Sequence, residues 1–411
     1  MNTGDTAWIL ICSALVLLMT MPGLAFFYGG LVRRKNVLSV LMQCFIILCV
    51  ISLQWMLYGY SLTFGPDIGG IIGNLDWFAL RGVGGAPNAD YAATIPHSTF
   101  MIFQAMFAVI TPALIIGTYA ERMKFSAFLI FTILWATFVY DPLGHWVWGT
   151  GGWLKGLGAL DFAGGIVVHT SSGVSALVLA LLIGKRVGYG NGVTYRPHNM
   201  PLTVLGGALL WFGWFGFNAG SALGANELAS HAFITTNTAT AAAGLTWALI
   251  EWKHNGAPTA LGAVSGAVAG LVAITPACGF VNPVNAIFIG ILASIFCYIA
   301  IAKVKAALGY DDALDVFGIH GVGGIWGTLA TGLFAEKAVN EAGANGLFFG
   351  NAHQFLVQGL LVAVTIIFAS ALTFVLYKLV DAIIGARVAK KEEIIGLDLT
   401  QHRESAYTLV E

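Results

Sequence analysis

The sequence predicts an all-α integral membrane protein with eleven transmembrane helices. Three observations carry that expectation. Of the 411 residues, 58% are hydrophobic and only 9% are charged, whereas soluble domains carry roughly a quarter charged residues. So few charges cannot cover the surface of a soluble protein of this size. Long apolar runs recur along the whole chain, and lysines and arginines collect beside alternate gaps between them. These features exclude a soluble enzyme, and a formal charge of −1 offers no basic surface for nucleic acid.

A membrane-spanning helix needs about 20 mostly apolar residues. Runs of that kind occupy 6–32, 37–63, 98–120, 125–146, 161–184, 200–219, 229–251, 257–276, 283–302, 313–334 and 353–384. The first follows Met1-Asn2-Thr3-Gly4-Asp5, which lacks the basic region of a signal peptide, so it is expected to be a true span. Sixteen lysines and arginines fall on one side of the alternation, and only Arg81, Lys155 and Lys337 fall on the other. By the positive-inside rule the N-terminus is outside and the C-terminus is in the cytoplasm. An odd number of spans follows. The last run, 32 residues, would make a helix about 48 Å long. That exceeds a hydrocarbon core of about 30 Å, so this helix should tilt or run past the membrane face. Lys378 near its end can snorkel. Cys12, Cys44, Cys49, Cys278 and Cys297 show no metal-ligand or disulfide spacing and read as small apolar fillers. No cofactor and no metal is expected.

Ionisable residues inside spans are costly and mark function by default. The fifth run opens Asp161-Phe162-Ala163-Gly164-Gly165 and reaches His169; the tenth opens Asp312-Ala313-Leu314-Asp315 and reaches His320. In each, an Asp precedes a His by eight residues. The two runs lie five spans apart, and an odd offset reverses direction. Residues 6–184 and 200–334 therefore read as an inverted 5+5 repeat, with 353–384 as an added helix and 385–411 as a polar tail. Transporters commonly place their sites between such repeats. Each histidine lies about 12 Å into its helix, from opposite faces, so the two should meet near the midplane. That pairing is favoured over two separate buried histidines. For Asp161 and Asp312 a helix-capping role is favoured, with long-range support of a cation by Asp161 as the alternative.

Phe103 and Phe107 share one face of the third run, and Trp214 and Phe217 lie three apart on the sixth. Trp148 and Ser221 both fall on the outer side. Aromatic faces with a hydroxyl suit a small cation, although spacing alone favours structural roles for each ring in the core or an interfacial belt.

These blocks resemble the Amt/Mep/Rh family of ammonium transporters, on its Amt branch and of bacterial type. The resemblance runs from Met21-Pro22-Gly23 and Phe27-Tyr28-Gly29-Gly30 to the tail. It is carried most specifically by Asp161 through His169, by Trp214-Phe215-Gly216-Phe217-Asn218-Ala219-Gly220-Ser221, and by Asp315-Val316-Phe317-Gly318 through His320-Gly321. It implies that His169 and His320 line a hydrophobic pore and that Phe107 and Phe217 stack across its outer entrance. It implies that Trp148, Ser221 and Phe103 recruit ammonium, with Asp161 and Trp214 in support; Asp312, from its place at the start of the tenth run, is counted as supporting too. A homotrimer in the cytoplasmic membrane follows from it, with methylammonium as an analogue of the substrate. A PII-type signal protein is implied as a partner at the cytoplasmic face, with a tail packed on that face. Composition alone reads the same tail as solvated.

The chemistry suits these residues. Ammonium and potassium share charge and approximate size, but only ammonium donates hydrogen bonds and loses a proton. An apolar pore excludes a bare ion and admits neutral ammonia at far lower cost. The expected function is thus deprotonation at the outer entrance and passage of ammonia past the histidines, with the proton crossing separately in the electrogenic version. The competing class is a sensor that binds ammonium with little or no flux. A membrane enzyme has no nucleophile elbow, nucleotide loop or metal cluster to support it.

Overall fold

The computed structural model describes residues 1–193 and 195–407; residues 408–411 of the expected tail lie outside the described residues. Each of the eleven apolar runs is helical. They form α1 (Thr3–Leu31), α2 (Arg34–Phe64), α3 (His97–Tyr119), α4 (125–148), α5 (Gly165–Ile183), α6 (Met200–Gly220), α7 (Glu227–Asn255), α8 (Ala260–Ile274), α9 (Pro283–Leu308), α10 (317–334) and α11 (Ala352–Ile384). Among the described residues, eight of these are long and apolar enough to cross a membrane; α7, α8 and α10 are the others. Helix α7 is rich in threonine and alanine, and α10 in glycine. Helix α8 has only 15 residues against the 257–276 expected. The Thr259 hydroxyl caps its start by accepting from Gly262 N at 2.9 Å, and Pro276, with no N–H to give, closes its far end in a turn. The chain is a multi-pass membrane protein.

Two boundaries correct the sequence reading. Helices α5 and α10 do not begin at Asp161 and Ala313 but at Gly165 and Phe317. In both cases the aspartate stands ahead of the helix and reaches over to its first amides. The segments leading into the two helices are built alike. Phe162 N donates to Pro276 O, at the end of α8, at 3.2 Å; Ala313 N donates to Thr118 O, in the last turn of α3, at 3.3 Å. The helices then cross on glycine. A Cβ at Gly173 of α5 would lie 2.0 Å from Gly321 N, and one at Gly324 of α10 would lie 2.8 Å from Gly165 O. Each of these glycines follows its histidine by four residues. The helices run antiparallel, since Arg186 just after α5 pairs with Asp311 just before α10.

Helix α11, 33 residues and about 50 Å long, braces this crossing from outside. Its Gln358 accepts from Leu160 N at 2.9 Å and donates to Leu160 O at 2.7 Å, fixing the segment that carries Asp161. Its Thr373 and the α5 residue Ser175 both accept from Trp135 Nε1, at 3.1 and 3.0 Å. Backbone and side-chain polar groups inside an apolar layer must be paired in this way.

One end of the bundle carries the N-terminus and a segment, 65–96, with a small hairpin of β1 (Asp67–Ile68) and β2 (Ile72–Gly73). Asn2 N donates to Thr94 O at 2.7 Å there, and Asp5 accepts from Ala225 N at 2.9 Å. The opposite end carries the tail, and here composition misleads. The described tail is packed against the loops of that end. Lys124 N donates to Ala386 O at 2.9 Å and Val388 N to Arg122 O at 3.0 Å. A short helix, α12 (Lys390–Ile395), carries Glu393, which accepts from Val187 N at 2.6 Å and pairs with Arg387 at 2.8 Å. Leu397 N donates to Asn36 at 2.8 Å, and Ser39 N to Asp398 at 2.8 Å. Backbone hydrogen bonds to neighbouring loops, invisible in composition, hold this polar segment down.

Beneath the tail lies a buried ionic cluster. Arg186 donates to Asp311 from Nε at 2.9 Å and from a terminal nitrogen at 2.7 Å, and it lies 3.4 Å from Glu121. Arg33 Nε donates to Glu121 at 2.8 Å. Burial alone would lift the two carboxyls. The facing arginines, Arg186 with Arg33 at Glu121 and Arg186 with Arg122 at Asp311, more than offset it and hold both below the usual carboxylate range. The Tyr195 ring is clasped between Arg186 and Arg33, at 4.1 and 4.7 Å from its centroid.

Candidate functional site

The site is a column of rings between two cavities. Asp161 organises the part of it toward the bundle end that carries the N-terminus, the outer end on the positive-inside expectation. One carboxylate oxygen accepts from Gly164 N and Gly165 N at 2.9 and 2.6 Å; the other accepts from Ile166 N and Val167 N at 2.9 and 3.2 Å. That satisfies the free amides that open a helix. Gly164, at φ 111°, supplies the left-handed turn this wrap requires, and a side chain there would meet Val168. With all four bonds made, the carboxylate has no free face for a direct ligand. The chain then joins α5 through a wide π-type turn, Gly165–Thr170, and His169 N donates to Gly164 O at 3.0 Å. His320 sits in the matching wide turn of α10, Phe317–Gly321. Five further π-type segments occur among the described residues, so it is the histidines these two carry that set them apart.

The wide turns bring the histidines together. Their ring centroids lie 5.3 Å apart at an interplanar angle of 19°, and their Nδ1 atoms are 3.3 Å apart. One ring must donate there and the other accept, so the acceptor carries its own proton on Nε2. His169 Nε2 is buried with no partner among the described residues. Both residues are at most 4% exposed. Trp214 stacks on the other side of His169 at 5.3 Å and 19°, held by a hydrogen bond from its Nε1 to Thr275 Oγ1 at 2.9 Å.

Above His169 lie the phenylalanines. Phe107 and Phe217 stack with centroids 4.2 Å apart at 22°, and Phe217 lies 6.0 Å from the His169 ring. Phe107 also meets Trp148 edge-on at 5.9 Å and 88°. Beyond this pair opens a cavity of about 350 Å³ lined by Phe107, Trp148, Asp161, Ser221, Tyr91 and Lys155, among others. Trp148 is locked by a bond from Nε1 to Asp161 O at 2.9 Å. Ser221, which lines the cavity, donates from Oγ to Phe217 O at 2.9 Å and keeps its lone pairs free to accept. On the far side, a second cavity of about 290 Å³ is lined by Phe27, Leu31, Ile301, Leu314, Asp315 and Ile319, among others. Ile319, which lines this cavity, adjoins His320 in the chain.

Two placements refine the sequence reading. Phe103 does not line the outer cavity; it is fully buried behind Phe107, at 5.0 Å edge-on, against Gly220. Asp312 caps α10 from outside the column, accepting from Phe317 N at 2.8 Å through one oxygen, while the other is buried without a partner among the described residues. Sequence reasoning missed Thr275, Tyr91, Lys155 and the glycines of the crossing. The glycines had a signal, since each Asp-x7-His continues to a Gly four residues on. Thr275 and Tyr91 had none, because only the fold brings them to Trp214 and to the outer cavity.

A sequence model of the Ammonium Transporter Family matches residues 7–407. The chain is 55% identical over 407 residues to an ammonium transporter of Bacillus subtilis, covering 99% of each chain. It is 50% identical over 409 residues to ammonium transporter Amt1 of Archaeoglobus fulgidus, covering 99% of this chain and 100% of that one. Among solved structures, Saccharomyces cerevisiae Mep2 superposes with a TM-score of 0.89 at 37% identity, covering 95% of this chain and 89% of that chain. A chain described as a sensor Amt protein also superposes, with a TM-score of 0.89 at 31% identity, covering 97% and 98%.

Proposed function

The chain belongs to the ammonium transporter family, and from that premise we propose that it carries ammonium nitrogen across the cytoplasmic membrane as ammonia. The observation that carries the mechanism is the unbroken column of Phe107, Phe217, Trp214, His169 and His320 between two cavities. Ammonium is drawn into the outer cavity by the π-faces of Trp148 and Phe107, each cation–π contact contributing about 0.5–2 kcal/mol. Ser221 accepts one of its hydrogen bonds. Phe103 stiffens Phe107 from behind. Asp161 acts through its field and by fixing the start of α5. At the stacked phenylalanines the ion meets an apolar constriction, where a bare charge is heavily penalised. Ammonium escapes that penalty by giving up a proton; potassium has none to give. Ammonia then passes between Trp214 and the histidines, which offer both a donor and an acceptor. The proton crosses separately through the linked Nδ1 atoms, which makes transport electrogenic.

The paired Asp-to-His segments and the antiparallel α5–α10 crossing support an inverted repeat of 6–184 and 200–334 with α11 added. The lysine and arginine distribution supports an outside N-terminus. We further propose a homotrimer with one pore in each subunit, and a PII-type protein docking on the tail-bearing face. A sensor that binds ammonium without flux is the second reading, favoured by the likeness to the sensor Amt chain. An ammonium jump on proteoliposomes, read as current and by an internal pH dye, separates the two. Current supports electrogenic transport, alkalinisation without current a neutral ammonia channel, and silence in both the sensor.

A further inference from the structure

The outer cavity already holds a cation. Lys155 lines the same space as Trp148, Phe107 and Ser221, and its Nζ donates to Trp148 O at 3.0 Å. The same ammonium group lies 5.8 Å from the centroid of the Tyr91 ring. Tyr91 is fixed in turn, donating from its hydroxyl to Phe64 O at 2.6 Å and accepting from Thr150 N at 3.1 Å. A primary alkylammonium, seated by a carbonyl and an aromatic face, thus uses the kind of partners that a free ammonium would use. The other charged groups of this cavity are Asp90 and Asp161. Asp161 is committed to four backbone amides, so its oxygens are not free to pair with Lys155. Asp90 lines the same cavity, and the lysine Nζ bonds to the Trp148 carbonyl rather than to that carboxylate.

We propose that Lys155 is a built-in competitor that sets the ammonium concentration at which the outer cavity fills. This rests on the transport reading above. Its charge opposes admission of a second cation. A cavity of this volume is on the order of 10 Å across, and two unit charges at that distance shift an equilibrium about two- to sixteenfold between water-like and protein-like screening. Lys155 does not touch the path through the rings, so it tunes capture and leaves the maximal rate to the column.

The test is competition by ammonium against uptake of labelled methylammonium into proteoliposomes of the full chain. Lys155→Gln removes the charge and keeps a donor for Trp148 O; Lys155→Arg keeps both. In low salt, Lys155→Gln lowers the half-inhibiting ammonium concentration about two- to sixteenfold, and Lys155→Arg matches wild type. In about 0.5 M sodium chloride the difference shrinks below about twofold, because salt screens exposed charges. Equal half-inhibition in Lys155→Gln and wild type at low salt would overturn the proposal. So would a shift shared by Lys155→Arg, or one indifferent to salt, since either points to a packing role. No uptake by wild type would instead overturn the transport reading beneath it.

Discussion

The two helices that carry the histidines are approached in the same way but secured differently. At α5, Asp161 commits both oxygens to four backbone amides. At α10, Asp312 makes one bond, to Phe317 N, and leaves an oxygen buried and unpartnered among the described residues, while its carbonyl accepts from Lys305 at 2.6 Å. Lys305 also pairs with Asp315 at 2.6 Å. The start of α5 is therefore a self-contained cap. The start of α10 leans on a charged neighbourhood, with Asp311 next in the chain tying it to Arg186 and, through that arginine, to Glu121. The same sequence pattern has yielded a rigid floor for one cavity and a network linked to loops and tail at the other.

The largest effect should come from the outer cap. Asp161→Asn cannot accept four amides and turns N–H toward N–H, so it should lower stability by about 3–5 kcal/mol, read as a large drop in the melting temperature of the detergent-purified protein. Next comes Arg186→Met, which leaves Asp311 and Glu121 buried without their shared partner and should cost about 3–5 kcal/mol at neutral pH. Here pH sharpens the comparison. Both carboxyls are held below their ordinary range in the folded protein, so their contribution is present above about pH 4 and is lost as pH falls further. In Arg186→Met the acid loss should shrink, and reverse if burial lifts the carboxyls above their unfolded range, because burial then acts with less opposition. Melting temperatures across about pH 3–7 check this. The smallest effect belongs to Asp312→Asn, which keeps the acceptor for Phe317 N and exchanges one unpartnered atom for another; about 1 kcal/mol is expected. Equal losses in Asp161→Asn and Asp312→Asn would break the contrast between the two helix starts.

Much of this was legible in sequence. The apolar runs foretold where the long helices would lie, because lipid permits little else. The matched Asp-to-His segments foretold that His169 and His320 would approach each other, although the expected depth did not hold, because the helices start at Gly165 and Phe317, well past the aspartates. The boundaries of α5 and α10 were not legible, since an aspartate that caps from ahead of the helix looks the same as one inside it. Phe103 misled for a related reason. It shares a helix face with Phe107, but the cavity begins beyond Phe107, and only the packing of Gly220 shows which ring faces it. The tail was read as solvated from composition because its restraints are largely backbone amides and carbonyls, which composition does not register.

The central claim is that selectivity comes from deprotonation before the twin histidines. It is tested most directly by current on solid-supported membranes after an ammonium jump, with a potassium jump as control, for wild type and for His169→Ala/His320→Ala. The account predicts an ammonium current and no potassium current in wild type. In the double variant it predicts loss of the ammonium current as the linked Nδ1 path disappears. A wild-type potassium current comparable to that of ammonium, or an undiminished ammonium-only current in the double variant, would contradict it.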